Sequence, residues 1–373
     1  MTKELIPDYL KELIPYQAGK PIEDLAREKI LTRISKLASN ENPLGPSPQA
    51  IREMTYHLWN VHRYPDMYSH ELKSALAKIY KLKKENIILA NGSEGVIGLI
   101  ARAFVQPGDE VLTSEKTFTA GCILFRGCGA KIIEAPMTKD YRYDVDEIAK
   151  RINEKTKMIY IANPNNPTGT YIRKQEFDRL MDSVPKHVLV IQDEAYYEFA
   201  QRYAPDYPDS MDYRYDNVLT LRTFSKAFGL SGIRVGYGFG HEELITNLHK
   251  VKLSFEPGSI AQKGAIGALK DYSHLDRTLR SNEKRYQELE GFLRKNNFDF
   301  IESVTNFICV NTGSEQASSW LYEELLNKGV IVRPLKANAM PEYLRVSLGK
   351  KEEMDHFYQA MEILLPEFNR KFR

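Results

Sequence analysis

Short apolar runs recur between residues 87 and 239: IILA at 87, VLTS at 111, KIIEA at 131, MIYIA at 158, VLVIQD at 188, VLTL at 218 and VGYGF at 235. They do not alternate apolar with polar positions. Helix-compatible stretches, such as SEGVIGLIARAFV (93–105) and KQEFDRLMDSV (174–184), lie between most of them. Non-alternating strands linked by helices predict a largely parallel, seven-stranded sheet sandwiched by helices, because only a sheet covered on both faces has no polar side. Such sheets carry their chemistry beyond the carboxyl ends of the strands.

The pattern changes after about residue 268. A long polar helical stretch (DRTLRSNEKRYQELEGFLRK, 276–295) is followed by a strand (FICVN), a helix (ASSWLYEELLNKG), two strands (VIVRPL and YLRVSLG) and a last helix, KKEEMDHFYQAMEILL, ending at 365. This predicts a smaller α+β domain over 269–373, beside a large α/β domain over 41–268. Residues 1–40 hold no strong core segment and are expected to form an arm packing on the small domain or on a partner. No Pro/Gly linker marks the joint, so the two domains are expected to dock tightly.

Composition narrows the class. The 373 residues are 42% hydrophobic and 27% charged, with a net charge of +2. Acidic and basic residues are interspersed, so no basic face for nucleic acid emerges. Cys122, Cys128 and Cys309 are odd in number and lack CxxC spacing, which argues against a disulfide framework or a zinc ribbon. No HExxH metal motif occurs, and GYGFGH (236–241) has His241 where a nucleotide-binding fingerprint needs its third glycine. The first residues, MTKELIPDYLKELIPY, carry acids and prolines where a signal peptide needs a basic end and an apolar run. The most apolar helical stretch contains Arg102 and is too short to span a bilayer. The expectation is a soluble, cytoplasmic protein with no membrane and no metal.

Four segments carry candidate chemistry. ANGSEGVIGLIARAF (90–104) reads as strand, glycine turn and helix, which leaves backbone N–H groups free for an anion; a plain helix cap at Ser93 fits equally. ANPNNPTG (162–169) reads as a rigid, extended loop that holds an asparagine amide, or as an ordinary Asn/Pro turn. QDEAYYEF (192–199) ends a buried strand on an acid, which is costly without a partner; Asp193 instead capping the next helix is the other reading. RTFSKAFGLSGIRVG (222–236) gathers Thr223, Ser225, Lys226 and Arg234 after a strand. Those side chains suit a phosphate beside an amine nucleophile, or a surface loop. Together the four segments follow successive strand positions and supply what pyridoxal phosphate requires: a lysine for its aldehyde, an acid for its ring nitrogen, donors for its phenolic oxygen and an anion site for its phosphate.

With these segments, and with LASNENPLGPSP, RYPD and RPLKANAMPEYLRVSLG, nearly the whole chain resembles the fold-type I pyridoxal-phosphate aminotransferases, and within them the histidinol-phosphate aminotransferases. The resemblance implies the following roles. Lys226 joins the cofactor aldehyde as a Schiff base and acts as catalytic acid–base. Asp193 pairs with the ring nitrogen, and Asn166 and Tyr196 donate to the phenolic oxygen. Gly92, Ser93, Glu94, Thr223, Ser225 and Arg234 hold the phosphate, and Phe118 stacks on the ring. Tyr64 reaches the phosphate of a neighbouring subunit, so the site is shared across a homodimer. Arg345 grips the substrate anion, while Tyr16 and Arg333 line the far end of the pocket. The implied reaction moves an amino group between L-histidinol phosphate and 2-oxoglutarate in histidine biosynthesis. An aromatic amino-acid aminotransferase and a threonine-phosphate decarboxylase are the alternatives. Three departures from the usual pattern stand out: Glu94-Gly95, expected to loosen the helix start; Lys116-Thr117, which sets a lysine near the pocket; and the loop LKANAMPEY.

Overall fold

A computed structural model describes residues 5–373 apart from 18, 214 and 215; the first four residues of the expected arm lie outside the described residues. A two-residue strand, β1 (Ser35–Lys36), precedes the main sheet. That sheet is built from β2 (Ile87–Ala90), β3 (Glu110–Ser114), β4 (Lys131–Ala135), β5 (Thr156–Ala162), β6 (Leu189–Asp193), β7 (Val218–Thr223) and β8 (Gly236–Phe239). Its order is β2-β8-β7-β6-β5-β3-β4, with all neighbours parallel except β8, which runs antiparallel to both β2 and β7. Each apolar run from the sequence is one of these strands.

Successive residues of one strand feed different cores, which is why the runs show no alternation. Leu189 and Ile191 of β6 pack with Val96 and Ile100 of the helix Gly92–Phe104, whereas Val190 packs with Phe177 and Leu180 of the helix Lys174–Ser183. Burying an aliphatic side chain is worth about 1.5–3 kcal/mol, so both faces of the strand contribute.

The long helix Tyr272–Lys295 leads to a second, four-stranded sheet. It contains β9 (Phe300–Ile301), β10 (Phe307–Asn311), β12 (Arg333–Pro334) and β13 (Tyr343–Ser347), in the order β12-β13-β10-β9. The run VIVRPL divides: β11 (Val330–Ile331) pairs in parallel with β1, while β12 turns to β13. A strand pattern does not name its partner, and here two different partners compete for six residues. The last helix, Lys351–Phe372, continues seven residues past the point where the apolar pattern ends, straight through Pro366. Phe368 and Phe372 hold that extension by packing on Trp320.

Candidate active site

The sheet register places the reactive segments on one edge. Ala162 pairs with Asp193 across β5 and β6, while Gly236 pairs with Thr223 on one side and Ala90 on the other. Strand ends β2, β5, β6 and β7 therefore lie level with the start of antiparallel β8. The reactive strands are not adjacent in sequence order, since β8 stands between β2 and β7. Its reversed direction brings Arg234, just before β8, to the same edge.

A cavity of about 130 Å³ opens there, lined by Ser93, Glu94, Phe118, Asn166, Asp193, Tyr196, Thr223, Ser225, Lys226 and Arg234 among others. A larger cavity of about 890 Å³, lined by Arg142, Arg202 and Glu283, lies apart from these groups. Functional weight rests on the smaller one, because it gathers the buried Asp193 and Tyr196 with the amine of Lys226 and the guanidinium of Arg234.

Asp193 ends β6 and is 4% exposed. Its Oδ2 accepts a hydrogen bond from Tyr160 Oη at 2.9 Å, and Oδ1 has no partner. Burial pushes the carboxyl up to about 6. A buried carboxylate oxygen without a donor is costly and seeks a hydrogen-bearing group. Asp193 is not a helix cap: the next helix, Tyr197–Tyr203, is preceded by Tyr196 at its N-cap.

Lys226 sits in the loop after β7. Its half-buried Nζ donates to Ser39 O at 3.2 Å and lies 5.7 Å from the centre of the Tyr196 ring. Burial, then the nearby positive charge of Arg345, lowers the amine to about 8. Tyr196 Oη accepts from Asn40 Nδ2 at 2.9 Å, so its own hydroxyl hydrogen is free to donate. Asn166 Oδ1 accepts from Arg345 Nη1 at 2.5 Å, which leaves the amide Nδ2 as a donor.

At the other end, the helix Gly92–Phe104 begins one residue before Ser93, so Ser93 is no cap and its backbone belongs to the first turn. Gly92 has φ +84°, and a Cβ there would come within 2.9 Å of Arg234 Nη2. A Cβ on Gly236 would strike Ser93 N at 2.4 Å. Two glycines thus let the guanidinium and the helix start approach each other. Thr223 Oγ1 donates to Ser225 Oγ at 3.0 Å, and Arg234 Nη1 lies 3.5 Å from Ser225 Oγ. Backbone N–H groups, two hydroxyls and a guanidinium make an anion site. The whole set suits a phosphorylated heteroaromatic ring: a phosphate end, an acid for a ring nitrogen, donors for an oxyanion and an amine for an aldehyde.

Four predicted side chains stand outside this cavity's lining. Tyr64 is 81% exposed and stacks on Phe255 with ring centroids 4.3 Å apart. Tyr16 and Arg333 come together, with the guanidinium 6.0 Å from the Tyr16 ring and Nη2 donating to Gln17 O. Arg345, on β13, reaches the cleft wall through Asn166, and its Nη2 donates to Ala38 O at 2.8 Å.

Several expectations about local geometry are revised. The 162–169 loop is a tight turn and not extended: Gly169 N bonds Asn165 O at 2.9 Å, and Asn165 Nδ2 bonds Thr168 Oγ1. Gly95 does not loosen its helix; a Cβ there would press on Ala90 at 3.1 Å, so the glycine permits close packing. Lys116 pairs with Glu115, which spends its charge away from the cleft. The loop LKANAMPEY braces the same segment, with Asn338 Nδ2 donating to Thr117 O at 3.3 Å.

Sequence reasoning gave no role to Tyr160 or Asn40. Tyr160 lies on β5 behind Asp193. Asn40 bridges Tyr196 and Ser347 Oγ, which donates to its Oδ1 at 2.7 Å. The polar cluster Ser39-Asn40-Glu41-Asn42 before Pro43 was the available signal.

Residues 32–361 match the family Aminotransferase class I and II. The chain belongs to that family. This aminotransferase is 40% identical over 358 residues to histidinol-phosphate aminotransferase 1 of Nitrosococcus oceani, covering 95% of each chain. It is 40% identical over 365 residues to histidinol-phosphate aminotransferase 1 of Idiomarina loihiensis, covering 97% of this chain and 98% of that one. Its fold superposes with a TM-score of 0.89 on the crystal structure of histidinol-phosphate aminotransferase from Sinorhizobium meliloti in complex with pyridoxal-5'-phosphate, at 25% identity, covering 97% and 98% of the two chains. The three cysteines of the aminotransferase are free thiols, and burial pushes Cys122 and Cys309 up to about 12. No described helix is long and apolar enough to cross a membrane.

Proposed function

We propose that this chain is a pyridoxal-phosphate-dependent transaminase that moves an amino group between L-histidinol phosphate and 2-oxoglutarate. The observation that carries the reading is the pairing, in one cleft, of the depressed amine of Lys226 with the buried, half-unpartnered carboxyl of Asp193. Full-length similarity to two histidinol-phosphate aminotransferases supports the substrate.

Asp193 would face the cofactor's ring nitrogen, and Tyr196 and Asn166 its phenolic oxygen. Ser93, Thr223, Ser225, Arg234 and the backbone from Gly92 to Glu94 would hold its phosphate, with Phe118 over the ring. Bound there, pyridoxal phosphate supplies the electron sink that makes the Cα–H bond of an amino donor breakable. Lys226 Nζ takes that Cα proton, because burial keeps a useful fraction of the amine neutral near pH 7. Tyr160 orients the Asp193 carboxylate, and Asn40 orients Tyr196.

Histidinol phosphate has no carboxylate, whereas 2-oxoglutarate has two. Arg345 would anchor the phosphate monoester of one and a carboxylate of the other, since both offer paired oxygens to a guanidinium fork. Its Nε has no partner, which suits it to a further anion. Tyr16 and Arg333, which pack on each other outside that cavity, would line the far end of the substrate's pocket.

The same reading makes the chain a cytoplasmic homodimer, with an arm over 1–40, a large domain over 41–268 and a small one over 269–373. Tyr56, Trp59 and Tyr64 are 78%, 87% and 81% exposed, a concentration of aromatic surface that a second subunit would cover. Tyr64 of each chain would then reach the neighbour's phosphate site.

The test is a single-turnover spectrum of the cofactor-loaded protein. Histidinol phosphate should convert the cofactor to its amine form, and 2-oxoglutarate should restore it. Conversion by phenylalanine or tyrosine but not histidinol phosphate would overturn the substrate; conversion by no amine would overturn the reaction.

A further inference from the structure

Residues 37–40 join strand β13 to the reactive groups of the cleft. Leu37 O accepts from Ser347 N at 2.9 Å, and Ala38 O accepts from Arg345 Nη2 at 2.8 Å. Ser39 O accepts from Lys226 Nζ at 3.2 Å. Asn40 follows, 1% exposed and with φ +55°, a backbone conformation that asparagine adopts more readily than most residues. Asn306 Nδ2 donates to its carbonyl at 3.0 Å. Ser347 is buried and comes two residues after Arg345 on β13, so both side chains leave the same face of the strand.

One backbone donor fixes the direction of every hydrogen bond in this chain of contacts. Asn40 N–H donates to Ser347 Oγ at 2.9 Å. Ser347 has a single hydroxyl hydrogen, and it goes to Asn40 Oδ1 at 2.7 Å. The amide oxygen therefore faces Ser347, and Nδ2 faces Tyr196 Oη at 2.9 Å. With the amide reversed, Ser347 Oγ would meet two donors and its own hydrogen would lose its acceptor, which is costly in a buried place. Burial pushes Tyr196 up to about 12, so the phenol keeps its hydrogen near neutral pH. Among the described residues Tyr196 Oη has no hydrogen-bond partner besides Asn40, which leaves that hydrogen for the cavity that Tyr196 lines.

We propose that Ser347, acting through Asn40, is a positioning residue that holds the Tyr196 hydroxyl as a donor toward the cofactor's phenolic oxygen. This deepens the transaminase reading and rests on it. Ser347→Ala would remove the acceptor of Asn40 N–H and the donor to Oδ1 together. The amide could then turn its oxygen to Tyr196 and draw the phenol hydrogen away from the cavity. An anionic oxygen that loses a donor holds nearby protons more tightly. Strand β13 would thus serve the site twice: Arg345 for the substrate anion, and Ser347 for the direction of the phenol.

The experiment is a pH titration of the visible absorbance of the cofactor-loaded protein. Tyr196→Phe, which lacks the donor, should raise the midpoint and sets the reference. Ser347→Ala should raise it by about 0.5–1 unit, and should add nothing when combined with Tyr196→Phe. Should Ser347→Ala not fold, Asn40→Gly decides: glycine accepts the positive φ and removes the amide, so the midpoint should rise only while the Tyr196 hydroxyl is present. A midpoint unchanged by the folded variant would overturn the proposal. So would a shift of equal size with and without the Tyr196 hydroxyl, the result that a merely structural role predicts. A midpoint unmoved by Tyr196→Phe would overturn the placement of Tyr196 beside the cofactor, and the proposal with it.

Discussion

The amine of Lys226 gives the sharpest quantitative test. Burial lowers it from 10.5 to about 8, and Arg345 is the second cause. At pH 7 an amine of pKa about 8 is roughly 9% neutral, against about 0.03% at 10.5, a gain on the order of 300-fold in reactive base. The sign for folding follows. Between about 8 and 10.5 the unfolded chain binds the proton and the folded chain does not, so the cofactor-free protein gains stability from this group as pH rises through that window, and carries the full penalty below about 8. Competitive trace acetylation of the cofactor-free protein, read at Lys226 by peptide mass spectrometry from pH 6 to 11, measures the midpoint directly. It should fall near 8. Arg345→Met should move it upward, because the neighbouring positive charge that helps expel the proton is gone. A midpoint above about 10, or one indifferent to Arg345, would refute the argument that burial and that guanidinium activate the lysine.

Asp193→Asn should lower kcat by about 10²–10³-fold with the cofactor still bound, because an amide cannot carry the charge that balances a protonated ring nitrogen; steady-state kinetics with a cofactor absorbance check measures it. Arg345→Lys should weaken the histidinol phosphate and 2-oxoglutarate half-reactions together, and stopped-flow of each half would expose a loss confined to one. Arg222→Ala should cost about 3–5 kcal/mol in urea unfolding, since Glu194 is left buried without its guanidinium. Glu194→Gln should cost less, as Arg222 keeps Asp209.

The strands and the chemistry at their ends were legible in the chain because both are local. A doubly covered strand must be apolar throughout, so all seven main-sheet strands announced themselves, and a strand running into Gln-Asp-Glu marked an acid that needed a partner. What decided the site's electrostatics was not local. Tyr160 reaches Asp193 from a neighbouring strand, and Asn40 reaches Tyr196 across 156 residues. The reversal of β8, which delivers Arg234 to the edge where Ser93 and Ser225 lie, depends on sheet order. So does the division of VIVRPL between two sheets, which hangs on an N-terminal strand of two residues. The sequence alone determined which residues could react, because side-chain chemistry and strand periodicity are properties of short segments. Only the tertiary structure decided which of them meet and with what proton affinity, because burial and partner choice are set by segments far apart in the chain.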